Sequence, residues 1–135
     1  IPEMVINKAP EEWFFSHTSR EKKDRNFFHQ SALQDYLDCI KDPKTVSSIC
    51  EDYRAASSID LEDDKVTRDK QIKLKMPLLI LWGDKGKIEK WYKPLSIWQN
   101  YCTQKVKGNA VDAGHYIAEE NPKSLIKNIK NFFQN

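Results

Sequence analysis

An uninterrupted apolar run in "MPLLILWGDKG", Leu78 to Trp82, constrains the fold of this chain more than any other feature. A run this short, closed by Gly83, is typical of a strand buried on both faces of a parallel sheet. We expect a helix over residues 94–102, a second, weaker strand within 106–115 and a closing helix over 122–135. The order strand, helix, strand, helix predicts a parallel α/β unit.

The first seventy residues follow a different pattern. No glycine precedes Gly83, and apolar residues recur at helical spacing, so residues 1–70 are expected to be all-α. Ser31 is expected to cap one helix, which Pro43 ends, and Asn121 to cap the last helix of the chain. Residues 71–135 then form the α/β unit. Because two strands leave both edges of a sheet open, this unit is expected to be the tail of a larger doubly wound sheet.

Charge and composition exclude several classes of protein. The 22 basic and 20 acidic side chains are interspersed, which argues against a nucleic-acid-binding surface. There is no apolar run long enough to span a membrane. The three scattered cysteines show no metal-ligand spacing, which predicts reduced thiols in a cytoplasmic protein and no metal site. No P-loop or dinucleotide motif is present, so no cofactor is expected.

His115, in "AVDAGHYIAEENP", is the candidate general base. It follows the second predicted strand, and in open α/β sheets ligands bind at the carboxyl ends of the strands. Gly114 allows the backbone to turn there, and the pKa of an imidazole is suited to proton transfer near neutral pH. A loop histidine without a catalytic role is the alternative, and the local sequence does not separate the two.

The other candidate site residues each have a simpler structural interpretation as well as a functional one. Asp84 follows the first strand and could orient His115 as the acid of a triad, or be a polar turn residue. Tyr53, in "CEDYRAA", could donate a hydrogen bond to an anion, or only pack. The acidic residues at 60–64 predict a solvated loop. No GxSxG or other nucleophile elbow occurs, so covalent catalysis by these residues alone is not expected.

Taken in order, "CEDYRAASSIDLEDD", "MPLLILWGDKG", "PLSIWQ" and "AGHYIAEENP" resemble the carboxyl-terminal part of haloacetate (fluoroacetate) dehalogenases, α/β hydrolases close to the epoxide hydrolases. The resemblance extends over nearly the whole chain. It implies an α/β fold in which residues 1–70 form the helical cap, or lid, and residues 71–135 form the last two parallel strands of the hydrolase core with their flanking helices.

The resemblance also implies a mechanism. In this family an Asp on the nucleophile elbow displaces the halide and forms an ester, which a His-activated water hydrolyses. His115 matches the general base, and Tyr53 matches the cap tyrosine that binds the departing halide. The nucleophile, the oxyanion hole and the carboxylate-binding arginines would precede Ile1. The family's acid partner follows an earlier strand, so Asp84 occupies the position used by other members of the superfamily.

The chain is therefore expected to be a carboxyl-terminal fragment that contributes the general base and the cap, and to be inactive without the amino-terminal half. A haloacid-like small molecule would be its substrate only when that half completes it, and the open sheet edge could allow self-association. Because the chain begins with Ile1 rather than Met, the natural start is expected to have been removed or to lie upstream. The alternatives are a non-catalytic oligomerising or binding remnant of a split hydrolase gene, and a fragment of an epoxide or ester hydrolase.

Overall fold

The computed structural model describes residues 1–18 and 26–134. Residues 19–25 of the predicted helical region, and the last residue of the predicted closing helix, lie outside them. The elements in chain order are α1 (Pro2–Lys8), α2 (Pro10–Thr18), α3 (Gln30–Lys41), α4 (Pro43–Ala56), α5 (Ile59–Asp69), β1 (Leu79–Gly83), α6 (Ile88–Trp91), α7 (Pro94–Gln99), β2 (Lys107–Val111), α8 (Ile117–Glu120) and α9 (Pro122–Gln134). They divide into two compact units, Ile1–Val66 and Thr67–Asn135.

The first unit has a small apolar core at its helix contacts. Four buried residues form its centre: Ile6, Ile40, Val46 and Cys50. Three partly buried side chains pack around them: Trp13, Phe14 and Ile49. These residues come from α1 to α4, so burial of one apolar side of each helix holds the four together.

Local sequence explains where one of these helices begins. Pro43 is the first residue of α4, and the Asp42 carboxylate accepts a hydrogen bond from the Lys44 amide at 2.9 Å. Aspartate before a first-turn proline is a favoured helix start. The prediction that Ser31 caps α3 was wrong, because the helix begins at Gln30 and its N-cap is His29, two residues before Ser31. The Ser31 hydroxyl is instead hydrogen-bonded to the His29 ring, 2.9 Å from Nδ1.

The acidic residues from Asp60 to Asp64 lie in α5, so the loop predicted there was wrong. The stretch contains neither glycine nor proline, and Asp60 and Glu62 lie in the first turn of the helix, where negative charge is favoured. All of these acidic side chains are exposed. Within residues 1–18 and 26–134 no group of three or more His, Cys, Asp or Glu side chains could hold a metal ion.

The second unit contains a parallel pair of strands. β1 and β2 pair from Leu79 opposite Lys107 to Gly83 opposite Val111. The predicted α/β class, with two parallel strands and flanking helices, is confirmed. The strand predicted at 78–82 lies one residue from β1. An isolated parallel bridge between Leu74 and Cys102 precedes the main pairing.

The helices of this unit are partly as predicted. In α9, the Asn121 side chain accepts a hydrogen bond from the Ser124 amide at 3.1 Å, which confirms the predicted cap. The helix predicted over 94–102 is shorter, since α7 ends at Gln99. The single-turn helices α6 and α8 were not predicted. In the part of the chain that the structure describes, no helix is both long and apolar enough to cross a membrane.

Candidate active site

His115 lies in the loop between β2 and α8, at the carboxyl end of the parallel strands. Its side chain is exposed, and its ring meets the Tyr116 ring edge-on, with the centroids 5.0 Å apart. No hydrogen bond from another described residue reaches the imidazole. Both ring nitrogens are therefore open to a water molecule or a substrate, as a general base requires.

Three hydrogen bonds join the loop after β1 to the end of β2 and the loop of His115. The Asp84 amide donates to the Val111 carbonyl at 3.0 Å, and the Lys85 amide donates to the Ala113 carbonyl at 3.0 Å. The Ala113 amide in turn donates to Asp84 Oδ1 at 3.2 Å. Asp84 is thus bonded to the backbone two residues before His115. Within the described residues no hydrogen bond joins its carboxylate to the imidazole, and the role of triad acid stays a prediction.

An ion pair also joins the loop after β1 to the loop of His115. The ammonium of Lys85 contacts the carboxylate of Asp112, on the other loop. The hydrogen bond to Asp112 is the main cause that raises the pKa of Lys85, and the negative charges of Asp84 and Glu120 add to it. Both partners are largely exposed, so we expect the pair to align the loops rather than to add much stability.

Tyr53 lies on α4, in the first unit, and its side chain is 73% exposed. It borders an open, mostly apolar pocket of about 280 Å³. The pocket is lined by Pro2, Ile6, Trp13, Ile49, Cys50, Tyr53, Arg54 and Ser57. No described residue forms a hydrogen bond with the Tyr53 hydroxyl, which can therefore donate to a ligand.

Arg54, the next residue, supports this pocket by joining two helices. Its guanidinium pairs with Glu3 on α1 and with Glu51 on α4, the latter at 2.7 Å. The hydrogen bond from Arg54 is the main cause that holds the pKa of Glu3 below its usual range, and Glu3 in turn raises the pKa of Arg54. Since two carboxylates already accept from this cation, Tyr53 is the better candidate for binding an anion.

Solved structures match this chain, whereas no family model matches its sequence. ALR0039 from Nostoc sp. PCC 7120, described as an α/β hydrolase, is 36% identical with a TM-score of 0.91. A protein from Salmonella enterica described as an acyltransferase is 33% identical, and one from Pseudomonas aeruginosa described as an epoxide hydrolase is 31% identical, both with a TM-score of 0.88. Each match covers 98% of this chain.

The chain has the fold of the carboxyl-terminal part of an α/β hydrolase. The predicted resemblance to this part of the superfamily is confirmed. The matches cover only 43–45% of the other proteins, so the chain spans less than half the length of these hydrolase-fold structures. In the α/β-hydrolase fold seen here, Asp84 and His115 lie on neighbouring loops of the second unit, and Tyr53 lies in the first.

One residue that contacts the loop of His115 was missed in the sequence. Glu120, the last residue of α8, accepts hydrogen bonds from the Gly114 amide at 2.8 Å and from the Tyr116 amide at 3.2 Å. These two amides flank His115. The signal in the sequence was an acidic residue five positions after the histidine.

Proposed function

We propose that this chain contributes the general-base histidine and the halide-binding tyrosine of a haloacetate-dehalogenase-like hydrolase. The main support is the position of His115. Its exposed imidazole stands at the carboxyl end of two parallel strands, in a loop whose backbone is bonded to Asp84 and Glu120. Ligands of open α/β sheets bind at this end of the strands.

The proposed reaction has two steps. An aspartate from the amino-terminal portion attacks the carbon that bears the halogen, so a carbon–oxygen bond forms and the halide leaves. His115 then takes a proton from water, and the resulting hydroxide attacks the carbonyl carbon of the ester. The acyl carbon–oxygen bond breaks, the departing alkoxide takes the proton held by His115 and leaves as the hydroxy acid, and the aspartate carboxylate is restored as one proton passes to water.

In this proposal Tyr53 stabilises the departing halide. Its free hydroxyl can donate a hydrogen bond to the charge that develops on the leaving group. His115 does not act until the ester exists, and no nucleophile elbow occurs in these 135 residues. The chain alone is therefore expected to be inactive. A cytoplasmic location belongs to the same proposal, because Cys39, Cys50 and Cys102 are free thiols.

A chimeric enzyme tests the proposal. The chain replaces the matching carboxyl-terminal part of ALR0039, whose amino-terminal part then completes the fold. We expect the chimera to release halide from fluoroacetate or chloroacetate repeatedly, and the isolated chain to release none. His115→Asn should stop after about one halide per protein, because the ester forms but is not hydrolysed.

Mass spectrometry of the stalled chimera should show the added carboxymethyl group. His29→Asn is the matched control and should keep full turnover, because His29 is exposed at the start of α3 and has no role in the proposed reaction. Steady halide release by the His115→Asn chimera, at the rate of the unsubstituted one, would overturn the proposal.

Epoxide hydrolysis is the second candidate, and the match to the Pseudomonas aeruginosa protein favours it. His115 and Tyr53 could serve in both reactions, since a tyrosine hydroxyl can also donate a hydrogen bond to an epoxide oxygen. Epoxide opening by the chimera without halide release would favour this candidate. If every chimera is inactive on haloacids, epoxides and esters although it folds, a non-catalytic remnant is the better description.

A further inference from the structure

The carboxylate of Glu120 holds the backbone on both sides of His115. Its Oε2 accepts from the Gly114 amide at 2.8 Å, and its Oε1 accepts from the Tyr116 amide at 3.2 Å. The Glu120 amide also donates to the Tyr116 carbonyl at 2.8 Å. One side chain therefore binds the amide N–H groups of the residues immediately before and after the histidine. Hydrogen bonds to a charged acceptor are stronger than those between neutral groups.

Gly114 makes this contact possible. A Cβ atom at position 114 would lie 2.7 Å from Glu120 Oε1, closer than a side chain can approach. The absence of a side chain lets the carboxylate reach the amide of residue 114. The next residue, Asn121, donates from its side chain to the Asp112 carbonyl at 3.1 Å, so the junction of α8 and α9 also binds the start of the loop.

We propose that Glu120 is a positioning residue that sets the direction of the His115 imidazole. The ring itself has no hydrogen bond from a described residue, so its direction depends on the backbone conformation of His115 and on the edge-on contact with the Tyr116 ring. With the amides of Gly114 and Tyr116 both bonded to Glu120, that conformation is restricted on each side. The effect on turnover rests on the proposed role of His115, whereas the effect on the loop does not.

Backbone measurements on the isolated chain test the restriction directly. In Glu120→Ala, hydrogen exchange at the amides of Gly114 and Tyr116 should become roughly tenfold faster or more. The order parameter of the His115 amide should fall from about 0.85 towards 0.6. Glu120→Gln keeps one acceptor oxygen and should lose protection mainly at one of the two amides. Glu119→Ala is the matched control and should leave both amides protected.

Turnover of the chimera tests the consequence. Because a displacement of about 1 Å can cost about a hundredfold in rate, Glu120→Ala should lower kcat by about that factor with little change in KM. The kcat of Glu120→Gln should lie between that of Glu120→Ala and that of the unsubstituted chimera. The proposal is overturned if exchange and order at residues 114–116 are unchanged in Glu120→Ala, or if they change and His115-dependent turnover does not.

The two proposals can fail separately. A chimera whose turnover does not depend on His115 would overturn the proposed function. Faster exchange and lower order around His115 in Glu120→Ala would still support the positioning role. Should Glu120→Ala not fold, the selective loss of protection in Glu120→Gln decides the question, and equal protection of both amides in that variant counts against the proposal.

Discussion

Gly83, the last residue of β1, lies so close to Gly114 that a Cβ atom on Gly83 would come within 1.8 Å of the Gly114 carbonyl oxygen. It would also come within 2.5 Å of the Ala113 carbonyl oxygen. The end of the first strand therefore packs directly against the loop of His115. Only a residue without a side chain permits this approach.

Gly83→Ala should consequently move the His115 loop away from β1. We expect a loss of roughly 1–3 kcal/mol in the free energy of unfolding, as for other overpacked sites, measured by urea denaturation. Gly86→Ala is the matched control, because its Cβ would meet the nearest atom, the Gly83 carbonyl oxygen, at 3.2 Å. Equal losses for the two substitutions would show that the approach at Gly83 is not restrictive.

Asp84 offers a test that separates a structural role from a catalytic one. Its Oδ1 accepts from the Ala113 amide, and Asp84→Asn retains an oxygen that can do the same. If the structural role dominates, Asp84→Asn should be nearly as stable as the parent, and Asp84→Ala should lose about 1 kcal/mol. In the chimera, Asp84→Asn should keep most of the halide turnover. A large loss of turnover with unchanged stability would instead identify Asp84 as the acid partner of His115.

The sequence was sufficient for features that depend on local pattern. The apolar run at 78–82 predicted β1 to within one residue, and Asn121 before Pro122 predicted the start of α9. These signals are strong because burial and capping act within a few residues of the chain. Helices α6 and α8 were missed because four residues are too few to show a helical period.

Contacts between residues that are distant in the sequence could not be predicted from such local patterns. The bond between Asp84 and the Ala113 amide joins residues 29 positions apart, and only the pairing of β1 with β2 brings them together. The Glu120 contacts span four and six residues across a turn that has no periodicity. The role of His115 could be suggested from Gly-His after a strand, but the residues that hold its loop could not.

The core of the first unit supports a stability prediction. Val46 on α4 is fully buried, whereas Val5 on α1 is 54% exposed. Val46→Ala should lower the free energy of unfolding by roughly 2 kcal/mol, from lost burial and the cavity left behind. Val5→Ala should change it by less than about 0.5 kcal/mol. Urea denaturation followed by circular dichroism measures both, and similar costs would mean that Val46 is not central to the core.

The ion pair between Glu3 and Arg54 predicts that the free energy of unfolding depends on pH. Arg54 holds the pKa of Glu3 below its usual range, so the folded state binds this proton less readily than the unfolded chain. The resulting stabilisation is present above the unfolded glutamate pKa and is lost as the pH falls through the lower native pKa. In Arg54→Gln the pKa of Glu3, followed by NMR, should return towards its usual range and acid unfolding should begin at higher pH. Lys44→Gln is the control, and an unchanged Glu3 pKa in Arg54→Gln would contradict the assignment.

The free edge of β1 predicts self-association. The Lys107 amide donates to the Leu78 carbonyl and the Asp84 amide to the Val111 carbonyl, each at 3.0 Å. Because the backbone of a strand alternates in direction, the peptide groups of Leu79 and Leu81 point away from β2. Among the residues that the structure describes, no third strand pairs with them. An unpaired, apolar strand edge favours pairing with a second chain.

We therefore expect the isolated chain to associate as its concentration rises, measured by sedimentation velocity. Leu81→Pro removes an outward N–H donor and should weaken the association, with a circular dichroism spectrum close to that of the parent. Leu81→Ala keeps the donor and loses most of the side chain, so it separates strand pairing from apolar contact. Equal weakening by both substitutions would assign the association to the side chain. A chain that stays monomeric at all concentrations would show that the edge of β1 is not an interaction site.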